Sequence, residues 1–303
     1  MWNAEKFAAR LHREVPGLEL RLNEPMSRHT TFRVGGPAAL MALTADEGQL
    51  IDAARLAKRE GVELLCVGNG SNLLVDDKGL NAFVIKTVPH MNGCKVVGSK
   101  IVAAAGVLLA QLATVAADHG LTGLEVAHGI PGSLGGAVTM NAGAYDGEMK
   151  QVVQRVLTLD GRGELVELSA ADCDFSYRHS AFSGGDRLVV CAKMQLAEGD
   201  PDTIRAKMSD LMARRKEKQP LEFPSAGSTF KRPAGHFAAA LIDQCGLKGL
   251  SVGGAQVSTK HAGFVVNTGG ASCSDILRLI DEVRERVFRE TGVELEPEVK
   301  YLR

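Results

Sequence analysis

The spacing of hydrophobic residues changes several times along the chain, and each change predicts a different element. Phe7, Leu11 and Val15 recur at helical spacing, which predicts a short amphipathic helix within residues 1–20. Related patterns and capping signals predict further helices at 44–59, 108–118, 201–216, 236–244 and 274–290. Short apolar runs predict strands at 26–34, 40–43, 62–67, 82–86, 100–104, 154–159, 164–168, 187–196, 263–267 and 293–302. This mixture of helices and strands predicts an α+β fold.

The pattern changes near residue 200. Asp200 suits a helix N-cap and Pro201 suits the first helical position, so a new helical segment begins there. That helix ends in the basic run Arg214–Lys218, whose charges either complement the carbonyl end of the helix or meet an anionic ligand. We therefore predict an N-terminal helix over 1–20, a first domain over 21–199 and a second domain over 200–303.

The run Gly129–Tyr145 contains five glycines and no charged side chain. Glycine lets the backbone approach a ligand closely, and successive free N–H groups bind anions. The run lacks the Lys and the adjacent Ser or Thr of a magnesium-dependent phosphate loop. Two interpretations stay open. The backbone wraps around a large, mostly uncharged ligand that carries phosphate, such as a flavin dinucleotide, or it forms a tight internal turn.

A second glycine-rich loop, Gly68–Asn72, follows the predicted strand at 62–67. It resembles the Rossmann fingerprint, but Leu73 stands where the third glycine belongs and the next residues are apolar and strand-like. We therefore predict a strand–loop–strand element. Its N–H groups and the Ser71 and Asn72 side chains suit a pyrophosphate, and a plain hairpin turn is the alternative.

Composition narrows the class of protein. The chain has 303 residues, of which 45% are hydrophobic and 23% charged, and its formal net charge is -1. This balance argues against nucleic acid or an anionic membrane as the main partner. The six cysteines and eight histidines are scattered without metal-ligand spacing, so no metal site is predicted. The N-terminus lacks signal-peptide features and no apolar run suits a membrane span, so we expect a cytoplasmic protein.

Nine segments that cover almost the whole chain in order are His29–Gly36, Gly68–Asn72, Gly129–Ser133, Met140–Tyr145, Tyr177–Phe182, Ser225–Lys231, Gly246–Gly249, Ala255–Ser258 and Glu296–Lys300. Jointly they resemble the UDP-N-acetylenolpyruvoylglucosamine reductases, also called UDP-N-acetylmuramate dehydrogenases. The resemblance implies a two-subdomain FAD-binding region of the vanillyl-alcohol-oxidase type over 21–199, followed by an α+β substrate-binding domain. Only a short span separates Phe182 from Leu188, so the chain is similar to the shorter class without the Tyr-bearing loop insertion. Gly263 stands where the family usually has Asn.

The resemblance implies a flavoenzyme, an oxidoreductase that forms UDP-N-acetylmuramate from UDP-N-acetylglucosamine enolpyruvate for peptidoglycan synthesis. It thereby serves cell-wall biogenesis, cell shape and cell division. NADPH reduces a non-covalently bound FAD. Hydride then passes from flavin N5 to the alkene carbon β to the carboxylate, and a proton reaches the α-carbon.

The resemblance also implies roles for individual residues. Arg178 binds the substrate carboxylate, Ser228 donates the proton, and Glu298, protonated or acting through a water, helps to stabilise the enolate-like charge. The implied FAD-binding residues are Gly68, Asn69, Gly70, Ser71, Asn72, Gly132, Ser133, Gly136 and Gly143. The implied substrate-binding residues are Tyr177, Lys218, Lys231 and Lys248.

Residue type alone allows plainer interpretations of the catalytic candidates: Arg178 in a surface ion pair, Ser228 in a turn, and Glu298 as a solvated carboxylate. Two other functions stay open. One is another FAD-dependent alcohol or sugar oxidoreductase on the same scaffold, because fold does not fix function. The other is a non-catalytic protein that binds nucleotide sugars, which a flavin spectrum distinguishes from both enzymes. A hydrolase is disfavoured because the chain shows no clear order of His and Asp partners for a nucleophilic serine.

Overall fold

A computed structural model describes residues 2–303, which form two compact units. Unit 1 consists of the segment ending at Asn23, Ala39–Asn69 and Ala82–Ala213. Unit 2 consists of Glu24–Ala38, Gly70–Asn81 and Arg214–Arg303. Each unit is therefore built from separated parts of the chain. The predicted domains at 1–20, 21–199 and 200–303 follow chain order and stay a prediction.

The described residues form seven α-helices and eighteen strands, together with short 3-10 turns at Met26–Arg28, Glu125–Gly129 and Met149–Gln151. The helices are α1 Ala4–Glu14, α2 Glu47–Arg59, α3 Leu109–Asp118, α4 Leu134–Thr139, α5 Pro201–Lys218, α6 Ala238–Gln244 and α7 Cys273–Thr291. The strands are β1 Glu19–Pro25, β2 Pro37–Leu43, β3 Leu64–Val67, β4 Leu73–Val75, β5 Leu80–Lys86, β6 Cys94–Val97, β7 Lys100–Ala104, β8 Leu121–Thr122, β9 Gly143–Ala144, β10 Gly147–Glu148, β11 Val153–Leu159, β12 Leu165–Ser169, β13 Leu188–Gln195, β14 Ala197–Glu198, β15 Ser251–Val252, β16 Ala255–Val257, β17 Val265–Asn267 and β18 Lys300–Leu302.

The largest sheet lies in unit 1 and has the order β12-β11-β13-β7-β6, with every neighbouring pair antiparallel. In β7 the exposed Lys100 and Val102 alternate with the buried Ile101 and Ala103, as expected for a strand with one face on the core. Helix α3 packs into the same core, and the Leu109 N–H at its start donates to the Gly132 carbonyl at 3.0 Å. The start of α3 therefore fixes the backbone of the glycine-rich run.

A four-stranded sheet has the order β1-β2-β5-β3. Strands β3 and β5 are parallel, with Val67 opposite Lys86. Both strands therefore end at the same edge, and the loop that starts at Gly68 emerges beside Lys86. Ligands often bind at the carboxyl ends of parallel strands.

Helix α7 packs on the antiparallel sheet β15-β16-β17 in unit 2. Its predicted apolar face is buried, which confirms the pattern of Ile276, Leu279, Ile280, Val283 and Val287. Each such side chain contributes about 1.5–3 kcal/mol on burial, and packing of this kind stabilises most helices in proteins. Gly292 ends the helix at φ 70, a left-handed conformation that glycine adopts without strain.

The structure corrects the predicted strand at 26–34. Met26–Arg28 forms a 3-10 turn. The strand in this part of the chain is β1, which begins inside the region 1–20 that was assigned to the first helix and ends before Met26. The Thr30 hydroxyl donates to the Val34 carbonyl at 3.0 Å, and such local bonds compete with an extended backbone. Likewise, the predicted terminal strand at 293–302 shortens to β18, so Glu298 lies before the strand.

The glycine-rich run contains a helix, α4, that no sequence pattern predicted. Gly135 and Gly136 lower helix propensity, which concealed it. A Cβ on Gly135 would lie 2.8 Å from Ala105 Cβ, so close packing requires glycine there. The second loop, Gly68–Asn72, is not a hairpin turn, because β3 pairs with β5 whereas β4 pairs with β18.

Candidate active site

The two glycine-rich loops meet in unit 1 at Gly68 and Ser133. A Cβ atom on Gly68 would lie 2.0 Å from Ser133 Oγ, so only glycine leaves room for that hydroxyl. Asn69 Nδ2 donates a hydrogen bond to the Pro131 carbonyl at 2.7 Å and ties the loops together. Three of the predicted cofactor-binding residues are therefore neighbours.

Ser133 carries a buried hydroxyl without a hydrogen-bond partner among the residues that the structure describes. The residue is 1% exposed, and although it precedes α4 its side chain does not cap that helix. Buried polar groups are almost always hydrogen bonded, and leaving one unpaired costs about 1–3 kcal/mol. The hydroxyl therefore fits a ligand atom beside Gly68, as a bound flavin dinucleotide would place there.

Gly136 and Gly143, two other glycines that are predicted to bind the cofactor, have different surroundings. Gly136 is exposed, and a Cβ built on it would lie 3.9 Å from Ser133 Oγ, so it leaves open surface next to that hydroxyl. Gly143 instead faces the protein, since its Cβ would lie 2.4 Å from the Gly147 carbonyl oxygen in the hairpin of β9 and β10. Packing alone therefore accounts for Gly143.

Lys86 is a charged residue at this place that the sequence reasoning missed. It is 6% exposed, and its ammonium group donates to the Gly68 carbonyl. Desolvation lowers the pKa of Lys86 to about 8, and no carboxylate of the described residues pairs with it. A lysine at the end of an apolar strand, after Ala82–Ile85, was the available signal.

We expect Lys86→Met to stabilise the FAD-free protein at pH 7 and to lose this advantage as the pH rises. The ordinary pKa of 10.5 falls to about 8 on folding, so between these values the unfolded chain binds more protons and the contribution of Lys86 to stability rises with pH. The free energy of unfolding of the variant relative to wild type should therefore fall by on the order of 2–3 kcal/mol from pH 8 to 10.5. Denaturant unfolding measures this, with the exposed Lys95→Met as control. A difference that is constant with pH would contradict it.

Arg178 lies in a tight turn of unit 1. The N–H of Ser176 donates to the His179 carbonyl at 3.1 Å, and the N–H of His179 donates back at 3.2 Å. Between them Arg178 has φ 54, an unusual value for a residue other than glycine. Its guanidinium carbon lies 5.1 Å from the ring centroid of Tyr177, which is 48% exposed. Strained backbone of this kind clusters at functional sites.

Asn141 anchors that turn and is a second residue that the sequence reasoning missed. It is fully buried, and its Nδ2 donates to the Ser176 carbonyl at 3.0 Å and to Glu148 Oε2 at 3.1 Å. Its Oδ1 accepts from the Lys150 N–H at 2.9 Å. A hydrogen bond from Lys150 is the main cause that lowers the pKa of Glu148, and the charge of Arg178 adds to it. The glycine-rich run therefore supports the turn that carries Arg178.

We expect Asn141→Ala to lower the free energy of unfolding by about 2 kcal/mol, because it removes the hydrogen bonds of a fully buried amide side chain. It should also lower kcat/KM for the enolpyruvyl substrate that the resemblance implies by about tenfold, because the Arg178 turn loses its support and small misplacements are costly. Denaturant unfolding and steady-state kinetics check both effects. The exposed Asn92→Ala is the control. Wild-type values for both quantities would contradict the assigned role.

In unit 2 the segments that carry Ser228 and Glu298 lie side by side. Phe230 and Pro297 form an antiparallel bridge, and the Glu298 N–H donates to the Thr229 carbonyl at 2.8 Å. Thr229 and Phe230 are buried, whereas Ser228 is exposed. The buried pair therefore fixes the segment and leaves the Ser228 hydroxyl accessible. The sequence placed these catalytic candidates 70 residues apart.

Asn72 joins the same group in unit 2. Its Nδ2 donates to the Glu298 carbonyl at 3.0 Å, and its own carbonyl accepts from the Lys300 N–H at 2.9 Å. Gly70 has φ 66, and a Cβ on it would lie 2.0 Å from the His29 carbonyl oxygen. Asn72, the last residue of the predicted pyrophosphate loop, is thus hydrogen bonded to the segment that carries Glu298.

The predicted substrate lysines are accessible, and two of them hold carboxylates. Lys231 Nζ lies 2.5 Å from Glu296 Oε1, and Lys248 Nζ lies 2.7 Å from Asp243 Oδ2. Lys218 is exposed at the end of α5. Ion pairs at the surface are worth at most about 1 kcal/mol, so exchange for a ligand phosphate costs little.

Residues 2–303 show no features of a metal site, of a reactive cysteine or of a membrane-spanning helix. They contain no group of three or more His, Cys, Asp or Glu side chains arranged to hold a metal ion. Desolvation raises the pKa of Cys66 and Cys273 to about 12 and that of Cys173 to about 11, so these thiols stay neutral near pH 7. No helix in this part of the chain is long and apolar enough to cross a membrane.

Residues 219–302 match the family model described as UDP-N-acetylenolpyruvoylglucosamine reductase, C-terminal domain, and residues 38–169 match an FAD binding domain. A UDP-N-acetylenolpyruvoylglucosamine reductase of Caldanaerobacter subterraneus subsp. tengcongensis is 48% identical over 93% of this chain and 93% of its own. One of Clostridioides difficile is 46% identical over 94% of this chain and 93% of its own. The chain belongs to the UDP-N-acetylenolpyruvoylglucosamine reductase family.

Solved structures agree with membership of the reductase family. The crystal structure of the reductase from Thermus caldophilus has a TM-score of 0.80 and 36% identity, and the match covers 94% of this chain and 99% of that one. An alkyldihydroxyacetonephosphate synthase is 16% identical, with a TM-score of 0.51 over 65% of this chain and 41% of its own. That second likeness shows the fold alone.

The predicted family, α+β fold class, enzyme class and FAD cofactor are confirmed for this reductase-family chain. The roles of individual residues and the domain bounds have no such test and stay predictions. Within unit 1 the structure brings together Gly68, Asn69 and Ser133. Within unit 2 the Glu298 backbone is hydrogen bonded to the Asn72 side chain and to Thr229, the neighbour of Ser228.

Proposed function

We propose that this reductase-family chain reduces the enolpyruvyl ether of its substrate with Arg178, Ser228 and Glu298 as catalytic residues. The chain is an FAD-dependent oxidoreductase that takes hydride from NADPH and forms UDP-N-acetylmuramate in peptidoglycan synthesis. We propose the cytoplasm as its location. The observation that carries the assignment is the exposed Ser228 on a segment whose neighbour, Thr229, is hydrogen bonded to the Glu298 backbone.

The residues proposed to hold FAD, without a covalent bond, are Gly68, Asn69, Gly70, Ser71, Asn72, Gly132, Ser133, Gly136 and Gly143. When bound, the cofactor supplies the hydride that is added to the alkene carbon β to the carboxylate. The unpaired hydroxyl of Ser133 beside Gly68 supports this assignment most directly. Gly143 has the weakest support, because the hairpin of β9 and β10 already requires it.

Arg178 is proposed to bind the substrate carboxylate. Negative charge spreads from the α-carbon onto this carboxylate when the alkene is reduced, and a planar guanidinium binds a carboxylate through two hydrogen bonds. The turn fixed by Asn141 supports this role, because it presents Arg178 from a rigid backbone. Exposed Tyr177 lies next to it and is proposed to contact the substrate.

Ser228 is proposed to donate a proton to the α-carbon. A serine hydroxyl is a weak acid, so the donor works only because the developing carbanion is strongly basic. Glu298 is proposed to assist either as the protonated acid or through a polarised water. An ionised carboxylate would oppose the developing negative charge, so the protonated form requires a raised pKa in the reactive complex.

Lys218, Lys231 and Lys248 are proposed to bind the two phosphates of the uridine diphosphate group. Their side chains are accessible in unit 2, and the carboxylate pairings of Lys231 and Lys248 contribute little free energy, so a phosphate can replace them. Arg and Lys are the usual partners of phosphate groups.

Steady-state turnover in D₂O tests the proposal. Oxidation of NADPH should require UDP-N-acetylglucosamine enolpyruvate, and NMR should find deuterium at the α-carbon of the lactyl product. UDP-N-acetylglucosamine, which lacks the alkene, is the control and should give no turnover. Turnover of a simple alcohol or sugar with formation of peroxide, and none with the enolpyruvyl compound, would favour an oxidase instead.

A further inference from the structure

In unit 1, Lys86 and the proposed binding site of the FAD diphosphate lie at the same place, and each lacks a counter-charge. Lys86 is a buried ammonium group that no carboxylate of the described residues neutralises. The residues proposed to hold FAD include no cation, yet the diphosphate of FAD carries two negative charges. A buried charge without a counter-charge is energetically unfavourable. The positive charge of Lys86 and the negative charge of the diphosphate would neutralise each other.

Strand pairing places Lys86 next to the loop that is proposed to bind the diphosphate. Lys86 closes β5 opposite Val67, the last residue of the parallel strand β3, and the next residue is Gly68. The Lys86 ammonium donates to the Gly68 carbonyl, and the unpaired Ser133 hydroxyl occupies the space where a Cβ on Gly68 would be. Gly68 therefore accepts a hydrogen bond from Lys86 and lies against the unpaired hydroxyl of Ser133.

The nearby thiol does not supply the missing charge. Cys66, on β3, is the titratable side chain whose field reaches Lys86. Desolvation raises the pKa of Cys66 to about 12, so it is a neutral thiol near pH 7. An ion pair between the thiolate and the ammonium is therefore excluded at that pH.

We propose that Lys86 is the buried counter-charge of the FAD diphosphate and orients the Gly68 turn that receives it. The inference rests on the proposed placement of FAD at Gly68 and Ser133, and it adds a binding residue that no glycine-loop pattern contains. Lys86 acts on cofactor binding and not on the reacting atoms. Its removal therefore changes affinity for flavins that carry the diphosphate and spares flavins that do not.

Flavin affinity of the FAD-free protein tests the role. With FAD, Lys86→Met should weaken binding by about 100-fold, the usual loss when one partner of a buried charge pair is removed. With riboflavin, which has no phosphate, the change should stay within about threefold. Lys86→Arg keeps the charge and should stay close to wild type, and the exposed Lys95→Met should match wild type for both flavins. Equal weakening of FAD and riboflavin binding, or no weakening, would overturn the proposal.

Proton uptake gives a test that needs no variant. Burial lowers the pKa of Lys86 to about 8 in the free protein, and a nearby dianion would raise it again. Titration calorimetry from pH 7 to 10, in two buffers of different ionisation enthalpy, should therefore find a pH range of net proton uptake on FAD binding and none on riboflavin binding. Absence of FAD-linked uptake would overturn the proposal. Substrate reduction is a separate assay: normal flavin results without reduction would sink the proposed function and leave Lys86 assigned.

Discussion

We expect Ser228→Ala to slow the reduction of UDP-N-acetylglucosamine enolpyruvate by about a thousandfold, within the range for loss of a positioned proton donor. Reduction of the bound flavin by NADPH should stay within about threefold of wild type, because that half-reaction needs no proton from Ser228. Stopped-flow measurement of the two half-reactions separates these effects. Ser228 is exposed and the substitution removes no packed group, so the unfolding midpoint of the variant should match that of wild type.

Two further variants control this result. Ser225→Ala changes a serine in the same loop whose backbone carbonyl, and not its hydroxyl, accepts from Thr31. It should leave both half-reactions near wild type. Ser228→Cys keeps a proton on the side chain and should recover part of the lost rate. Equal slowing of both half-reactions in Ser228→Ala would show that the residue is structural.

We expect Arg178→Ala to reduce kcat/KM for the enolpyruvyl substrate by about 100- to 1000-fold, as when one preorganised donor to a developing anion is lost. Alanine leaves the carboxylate charge without its partner in the transition state. Arg178→Lys should recover only part of the rate, because an ammonium group does not bind a carboxylate through two parallel bonds. Steady-state kinetics with varied substrate measures both.

The matched control for Arg178 is Arg162→Ala, which removes a guanidinium that is 86% exposed in the same unit. It should behave as wild type. Full activity of Arg178→Ala would contradict the carboxylate-binding role and restore the plainer interpretation of a surface arginine. An unchanged unfolding midpoint in the variant shows that the loss is not one of folding.

Elements with a strong local pattern were predictable from sequence. The bounds of β7 agree with the predicted strand at 100–104, and α7 shows the predicted apolar face and its closing Gly292. In contrast, β1 was missed although Leu20 and Leu22 alternate with polar residues, because the predicted first helix was extended to residue 20. Helix α4 was missed because Gly135 and Gly136 both lower helix propensity, although close packing against Ala105 requires glycine only at position 135.

The candidate site divides in the same way. Motifs named Arg178, Ser228 and Glu298, but the supporting residues Lys86 and Asn141 depend on contacts that chain order does not show. Lys86 matters because parallel pairing sets it opposite Val67, and Asn141 matters because it bonds to Ser176, 35 residues later. Pairing between separated segments is a property of the fold, so spacing along the chain did not reveal either role.

The most direct test of the account is anaerobic. The bound flavin is first reduced with NADPH, excess nucleotide is removed, and UDP-N-acetylglucosamine enolpyruvate is added while the flavin absorbance is followed. We expect rapid reoxidation of the flavin in step with formation of UDP-N-acetylmuramate, and none with UDP-N-acetylglucosamine. A flavin that stays reduced in the presence of the enolpyruvyl substrate would contradict the account.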